Sequence, residues 1–242
     1  MPARTRTPLP AQKRCVIIGD VRESRLLDNW TRVFDRIQTH LAEANRRFAS
    51  DVLINFAPTV GDEFQGVLRT PRRAYDACLA LRSGIPTRLR IGIGTGAIER
   101  HFAKNKGMRG TAFYRARAAI EACKKLNRAT LISSAAEPSS TDVAINSLLH
   151  VAATLEERWT SRQRQLLDLY REHSNWSYDR LGKRFQVTKQ AVSQILAAAD
   201  WDTFREVEAA IRTLLGNDDA LRQAVKLQGF TSRSKAPMIY DD

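Results

Sequence analysis

Three acidic residues stand at positions where a chain can do chemistry. Asp20 closes the apolar run RCVIIGD, and Asp62 and Glu63 follow Gly61 in PTVGDEFQGVL. Hard divalent cations take oxygen ligands, and Mg2+ is commonly held by one or two carboxylates together with substrate phosphates. A pair of such ions activates a hydroxyl and stabilises a leaving pyrophosphate. Asp20 and Asp62 are therefore the candidate metal residues, for Mg2+ or Mn2+. A plainer reading stays open beside this one, because Asp is common at strand ends and in turns.

A second set of residues suits phosphate. Between Glu99 and Arg128 lie Arg100, Lys104, Lys106, Arg109, Arg115, Arg117, Lys124, Lys125 and Arg128, opposed only by Glu99 and Glu121. Arg109-Gly110 opens a helix, whose N-terminus favours anions. With Ser24 and Arg25 just past Asp20, the candidate nucleotide or phosphate contacts are Ser24, Arg25, Arg109, Arg115 and Arg117. The alternative is a solvated basic helix face. His40, His101, His150 and His173 lack metal-ligand spacing and are assigned no chemistry.

A third set lies in the second half. Thr160–His173 has a helical period, and Leu181, Phe185, Val187, Val192 and Ile195 recur with a break at 186–188. Two helices around a tight turn form a helix-turn-helix. Gly182 sits where the helices approach, Thr188 is placed as N-cap, and Val187 and Val192 suit a hydrophobic staple. Lys189, Gln190, Ser193 and Gln194 then face outward, types that suit base edges in a major groove. Arg162, Arg164, Lys183 and Arg184 suit phosphates. The candidate DNA contacts are these eight and Thr188. A helical bundle for protein contacts is the competing reading.

These residues need elements to position them. Residues 14–20 read as a buried strand, and Trp30, Val33, Phe34, Ile37, Leu41, Ala44 and Phe48 as an amphipathic helix capped by Asp28. Residues 52–60 and 64–68 read as a hairpin turning at Gly61-Asp62-Glu63. Thr70-Pro71 opens a helix, 88–98 a glycine-rich strand, 110–125 a helix and 129–133 a last strand. The order β-α-β-β-α-β-α-β implies an α+β domain, an antiparallel sheet with helices on one face. Residues 134–141 (SAAEPSST) read as a linker to an all-α domain over 142–225. Residues 1–13 read as a flexible basic arm and 226–242 as a flexible tail. Trp201–Leu215 has a core-like helical stripe, with homodimerisation as its other use.

Composition narrows the classes. The 242 residues carry a formal charge of +13 with 43% hydrophobic residues, which suits a globular chain with a real core. No apolar run approaches a membrane span, and no signal-peptide pattern is present, so a cytoplasmic protein without a membrane partner is expected. Three scattered cysteines argue against a disulfide framework. The charge is +4 over 1–14, +10 over 15–134 and −1 over 135–242, although 158–199 is locally +5. The excess points to phosphate-bearing partners, DNA and a nucleotide.

The segments IIGDVRESR, PTVGDEFQGVL, RIGIGTGAI and RGTAFYRARAAIEACKK resemble the SatD family over about 14–133, and more remotely class III nucleotidyl cyclases and GGDEF-type diguanylate cyclases. The resemblance implies a nucleotidyl-cyclase or palm-like sheet in which Asp20 and Asp62 bind metals and the helix from Gly110 lies beside the site. It also has departures. Pro58 stands where cyclases carry Lys, Tyr114 and Ala118 where they carry Asn and Arg, and Val60 where GGDEF has a second Gly. FQVTKQAVSQIL resembles helix-turn-helix domains of the sigma-factor region 4 and LuxR type. The expectation is a DNA-binding transcriptional regulator whose first domain binds a metal or nucleotide. The alternative is a cyclase-like enzyme making a nucleotide product from a nucleoside triphosphate.

Overall fold

The computed structural model describes residues 13–24, 29–83, 88–99 and 109–228. Most of the basic arm, the tail beyond 228, and Arg25, Asp28, Arg100, Lys104 and Lys106 lie outside these residues. Five strands form one sheet: β1 (Arg14–Val21), β2 (Val52–Pro58), β3 (Glu63–Leu68), β4 (Leu89–Gly96) and β5 (Thr130–Ser133), in the order β2-β3-β1-β4-β5. Between them run α1 (Trp30–Arg47), a 3-10 turn at Pro71–Arg73 leading into α2 (Ala74–Ser83), and α3 (Thr111–Leu126). The cap of α1 is Asn29, whose side chain accepts from the Arg32 amide.

Two features differ from the sequence expectation. The sheet is mixed, because β5 runs parallel to β4 while the other pairings are antiparallel. A parallel neighbour needs a crossover connection, and α3 supplies it. Helices also cover both faces of the sheet rather than one. Cys15, Ile17 and Val21 of β1 share a core with Ile37, Leu41 and Ala44 of α1 and Cys78 and Leu81 of α2. Val16 and Ile18 instead pack with Ala112, Ala116 and Ile120 of α3. A strand that is apolar at successive positions needs cover on both sides, and β1 is buried from Cys15 to Val21.

The approach of α3 depends on missing side chains. A Cβ on Gly94 would lie 2.2 Å from the Ala112 carbonyl oxygen, and one on Gly92 would lie 2.5 Å from that of Ala116. These contacts set the direction of α3: its first turn lies over Gly94 and its later turns over Gly92, toward the Asp20 end of β1.

Among the described residues six further helices follow: α4 (Ser140–Arg158), α5 (Ser161–Glu172), α6 (Tyr178–Phe185), α7 (Lys189–Ala198), α8 (Trp201–Leu214) and α9 (Asp218–Leu227). Helix α4 begins inside the 134–141 segment and α9 ends inside the 226–242 segment. Asn146 of α4 serves the edge strand β5, accepting from the Ile132 amide at 2.8 Å and donating to its carbonyl at 2.9 Å. Trp159, Leu166, Leu181, Trp201, Phe204 and Ile211 belong to the same buried cluster as the α1–α2 side of the sheet. Of the apolar stripe of α8, Trp201, Phe204 and Ile211 are buried within the chain, whereas Leu214 is exposed. Among the described residues no helix is long and apolar enough to cross a membrane.

Candidate cation and nucleotide site

Strand register brings the acidic residues together. Asp20 is the cross-strand partner of Glu63 on one side and of Arg90 on the other. The β2–β3 turn closes through the Thr59 amide donating to the Glu63 carbonyl at 2.9 Å, with Gly61 at a φ of 71°. Asp62 therefore sits at the end of β1, and its carbonyl accepts from the Val21 amide at 3.4 Å. The Ser24 hydroxyl donates to the Asp62 carboxylate. Cross-strand partners share a face, and for Asp20 and Glu63 that face is the one covered by α3.

The helix answers the acids with cations. Lys124 Nζ lies 3.4 Å from Asp20 Oδ1, 3.6 Å from Glu63 Oε1 and 3.5 Å from Glu121 Oε1. Arg117 Nη1 donates to both Glu63 oxygens at 2.7 Å. Arg90 Nη1 lies 3.7 Å from Asp20 Oδ2. Asp20 is 5% exposed, so burial raises its pKa; the Lys124 ammonium opposes this, while Asp62 and Glu63 push the same way as burial. Lys124 is shifted upward too: desolvation lowers it, and Asp20, Glu121 and Glu63 together outweigh that loss.

The expected phosphate residues divide between two places. Ser24 and Arg117 join Asp20 and Asp62. Arg115 donates to the Thr95 carbonyl at 2.6 Å, and Thr95 pairs with Cys15, five positions along β1 from Asp20. At ~3.3 Å per residue that is roughly 16 Å along the strand. Arg109 is exposed and bridges to Glu99 through the backbone, at the same far end. Lys124, Arg90 and Glu63 were not among the candidate metal or phosphate residues. Alternation along β4 points at Arg90, but Lys124 is found only once the direction of α3 is known.

The donor set bears on an Mg2+ or Mn2+ ion. Among the described residues no group of three or more His, Cys, Asp or Glu is arranged to hold a metal. Asp20 and Asp62 fit the sparser arrangement, in which one or two carboxylates share the ion with phosphates and water. They do not form an all-protein cage.

A separate polar face lies on α7. Helix α6 ends at Gln186, in the left-handed region at φ 57°, and the Val187 amide donates to the Gly182 carbonyl at 2.9 Å. Thr188 caps α7 by accepting from the Ala191 amide at 3.1 Å. Any side chain on Gly182 would meet the Val187 carbonyl oxygen at 2.6 Å. Val192 and Leu196 point inward, and Lys189, Gln190, Ser193 and Gln194 are exposed. Lys183 and Arg184 are exposed, Lys183 pairing with Asp179 at 3.1 Å. Arg162 stacks over the Phe185 ring, whereas Arg164 donates to the Glu156 carbonyl at 2.6 Å.

A family model described as the SatD family matches residues 15–215. Among solved structures, the chain is similar to a bacterial light-regulated adenylyl cyclase, with a TM-score of 0.40 and 13% identity over 50% of this chain and 75% of that one. It is similar to the catalytic core of a rhodopsin-guanylyl cyclase with converted specificity, at 0.36 and 14% over 46% and 72%. It is also similar to the adenylyl cyclase CyaB from P. aeruginosa, at 0.34 and 18% over 50% and 76%. No curated protein matches the chain.

Proposed function

The chain belongs to the SatD family, and from that premise we propose that its sheet-end cluster is a divalent-cation-dependent nucleoside triphosphate site with cyclase-like chemistry. The observation that carries this reading is the meeting of Asp20, Asp62 and Glu63 with Arg117 and Lys124 at one end of the sheet. Asp20 and Asp62 would hold Mg2+ or Mn2+, which when bound supplies charge for an attacking hydroxyl and a leaving pyrophosphate. The planar guanidinium of Arg117 carries a fork of donors that suits phosphate as well as carboxylate. Ser24 orients the Asp62 carboxylate. A triphosphate entering here exchanges the Arg117–Glu63 contact for one to phosphate.

The test is incubation of the full chain with each nucleoside triphosphate and Mg2+ or Mn2+, reading both binding and product. Triphosphate binding that needs the cation and falls at least tenfold in Asp20→Asn and Asp62→Ala is expected, with product lost in both variants. Binding without product leaves a nucleotide sensor. Cation-independent binding, or binding unchanged in both variants, overturns the site.

A second reading rests on a different observation, the capped α6–α7 turn with its four exposed polar residues. It makes α7 a DNA-reading helix, so that the chain is a transcriptional regulator with a nucleotide-responsive first half. Gln pairs bidentately with adenine and Lys with guanine, and Arg162, Lys183 and Arg184 suit phosphates. Fluorescence anisotropy with fragments selected from random DNA should show affinity that falls steeply with salt. Equal affinity after Lys189→Ala with Gln190→Ala would overturn this reading.

A further inference from the structure

Two of the three carboxylates at the sheet end, Asp20 and Glu63, are already paired with cations of the chain itself. Asp20 offers one oxygen to Lys124 and the other to Arg90, and Glu63 is shared by Arg117 and Lys124. Among the described residues, the Asp62 carboxylate is met by the neutral Ser24 hydroxyl. A divalent cation arriving at Asp20 must therefore displace a positive charge, and these three cations are not equally movable. Arg90 lies within β4 and is largely covered, and Arg117 pairs with Glu63 rather than with Asp20. Lys124 makes three longer contacts on a flexible stem, and its side chain is 35% exposed. One of its partners, Glu121, sits one helical turn back on α3 and is 58% exposed. The ammonium thus has an inner seat at Asp20 and Glu63 and an outer one at Glu121.

We propose that Lys124 is a built-in competitor of the divalent cation: its ammonium fills the inner seat when no ion is bound and retreats to Glu121 when one binds at Asp20. The role rests on the cation reading above and deepens it, because it makes cation affinity a property set by Lys124. Like charges a few ångströms apart repel strongly at a partly buried site, and the exposure of Lys124 moderates the effect. Removing the ammonium should then tighten cation binding roughly tenfold or more. Glu121 acts through Lys124, so neutralising it should weaken cation binding only while Lys124 is present.

The experiment is direct Mn2+ binding to the full chain without nucleotide, read from the paramagnetic resonance of free Mn2+. Lys124→Gln should bind at least tenfold more tightly than the natural chain, and Lys124→Arg, which keeps the charge, should not. Glu121→Gln should weaken binding in the natural background and lose most of that effect alongside Lys124→Gln. That difference separates a retreat to Glu121 from simple loss of a nearby negative charge. Melting curves check that each variant is folded. If Lys124→Gln binds no more tightly than the natural chain, the competitor role falls and the cation reading stands. If Lys124→Gln binds and the natural chain does not, the competitor role stands, and the cation reading of the natural chain is decided by the triphosphate test above. Absence of binding in both overturns the competitor role, while the cation reading is decided by the triphosphate test above; a Glu121 effect that persists without Lys124 overturns the retreat to Glu121.

Discussion

Single residues carry both the chemistry and its limits. The three thiols show how burial silences a reactive group. Cys78 and Cys123 are pushed up to about 12 by burial, and Cys15 is raised further by the same cause. The thiolate is the nucleophile, so iodoacetamide at pH 8 should leave all three unmodified in the folded chain and label them in urea. Because the folded pKa values lie above the unfolded one, the folded state holds more protons between about pH 9 and 12. Stability should therefore fall as pH rises through that window, read as a falling melting temperature. Asp20 and Asp62 were legible as candidates because a carboxylate ending an apolar run and one in a glycine turn are local patterns. Lys124 was not, since no local pattern relates a residue near the end of one helix to a strand more than a hundred positions earlier.

At the scale of elements, periodicity explains most of the outline, and small contacts explain how the elements meet. The glycines of β4 let α3 lie against the sheet, which aims its last turns at Asp20. Gly94→Val should cost about 1–3 kcal/mol by forcing helix and strand apart, and urea unfolding measures it. The same variant should weaken triphosphate binding, because Arg117 moves with the helix. Asparagines finish both sheet edges: Asn45 of α1 exchanges two bonds with the Phe56 backbone on β2, as Asn146 does with Ile132 on β5. Asn146→Ala strips partners from a half-buried backbone amide and carbonyl and should cost about 1–3 kcal/mol. Neither asparagine is marked by the sequence, because a polar residue on a helix surface looks the same whether it meets water or a strand edge. Helices on both faces were missed for a related reason: the continuous apolar run of β1 shows that the strand is buried, not which helix covers which side.

Over the whole molecule, the two halves share a buried ionic network. Asp76 and Arg82 of α2 meet Arg212 at 2.8 Å and Glu156 at 2.7 Å. Glu156 and Glu208 both hold Arg171, and Glu208 also holds Arg212. Arg171 lies over the Phe204 ring at 4.8 Å, and the Tyr75 hydroxyl donates to Glu208 at 3.3 Å. Removing one member leaves buried charges without partners, so Glu208→Ala should destabilise the fold by about 3–5 kcal/mol. Replacing the network with apolar residues of similar volume should cost far less. The loss should appear as one cooperative transition, because sheet and helices share one core. Two transitions in the natural chain would contradict that.

The sequence by itself determined the order and kind of the elements from β1 to β5, the hairpin carrying Asp62 and the capped turn before α7, though not α4 or α9. These depend on spacings of a few residues, and a short-range pattern is written directly into the chain. Tertiary structure alone decided which charged groups meet. Strand register set Asp20 between Glu63 and Arg90, and the lie of α3 sent Lys124 and Arg117 to that end while leaving Arg115 and Arg109 at the other. The union of the halves through Glu156, Arg171 and Glu208 was decided in the same way. Such pairings depend on contacts between segments far apart in the chain, and neither residue type nor local period encodes them.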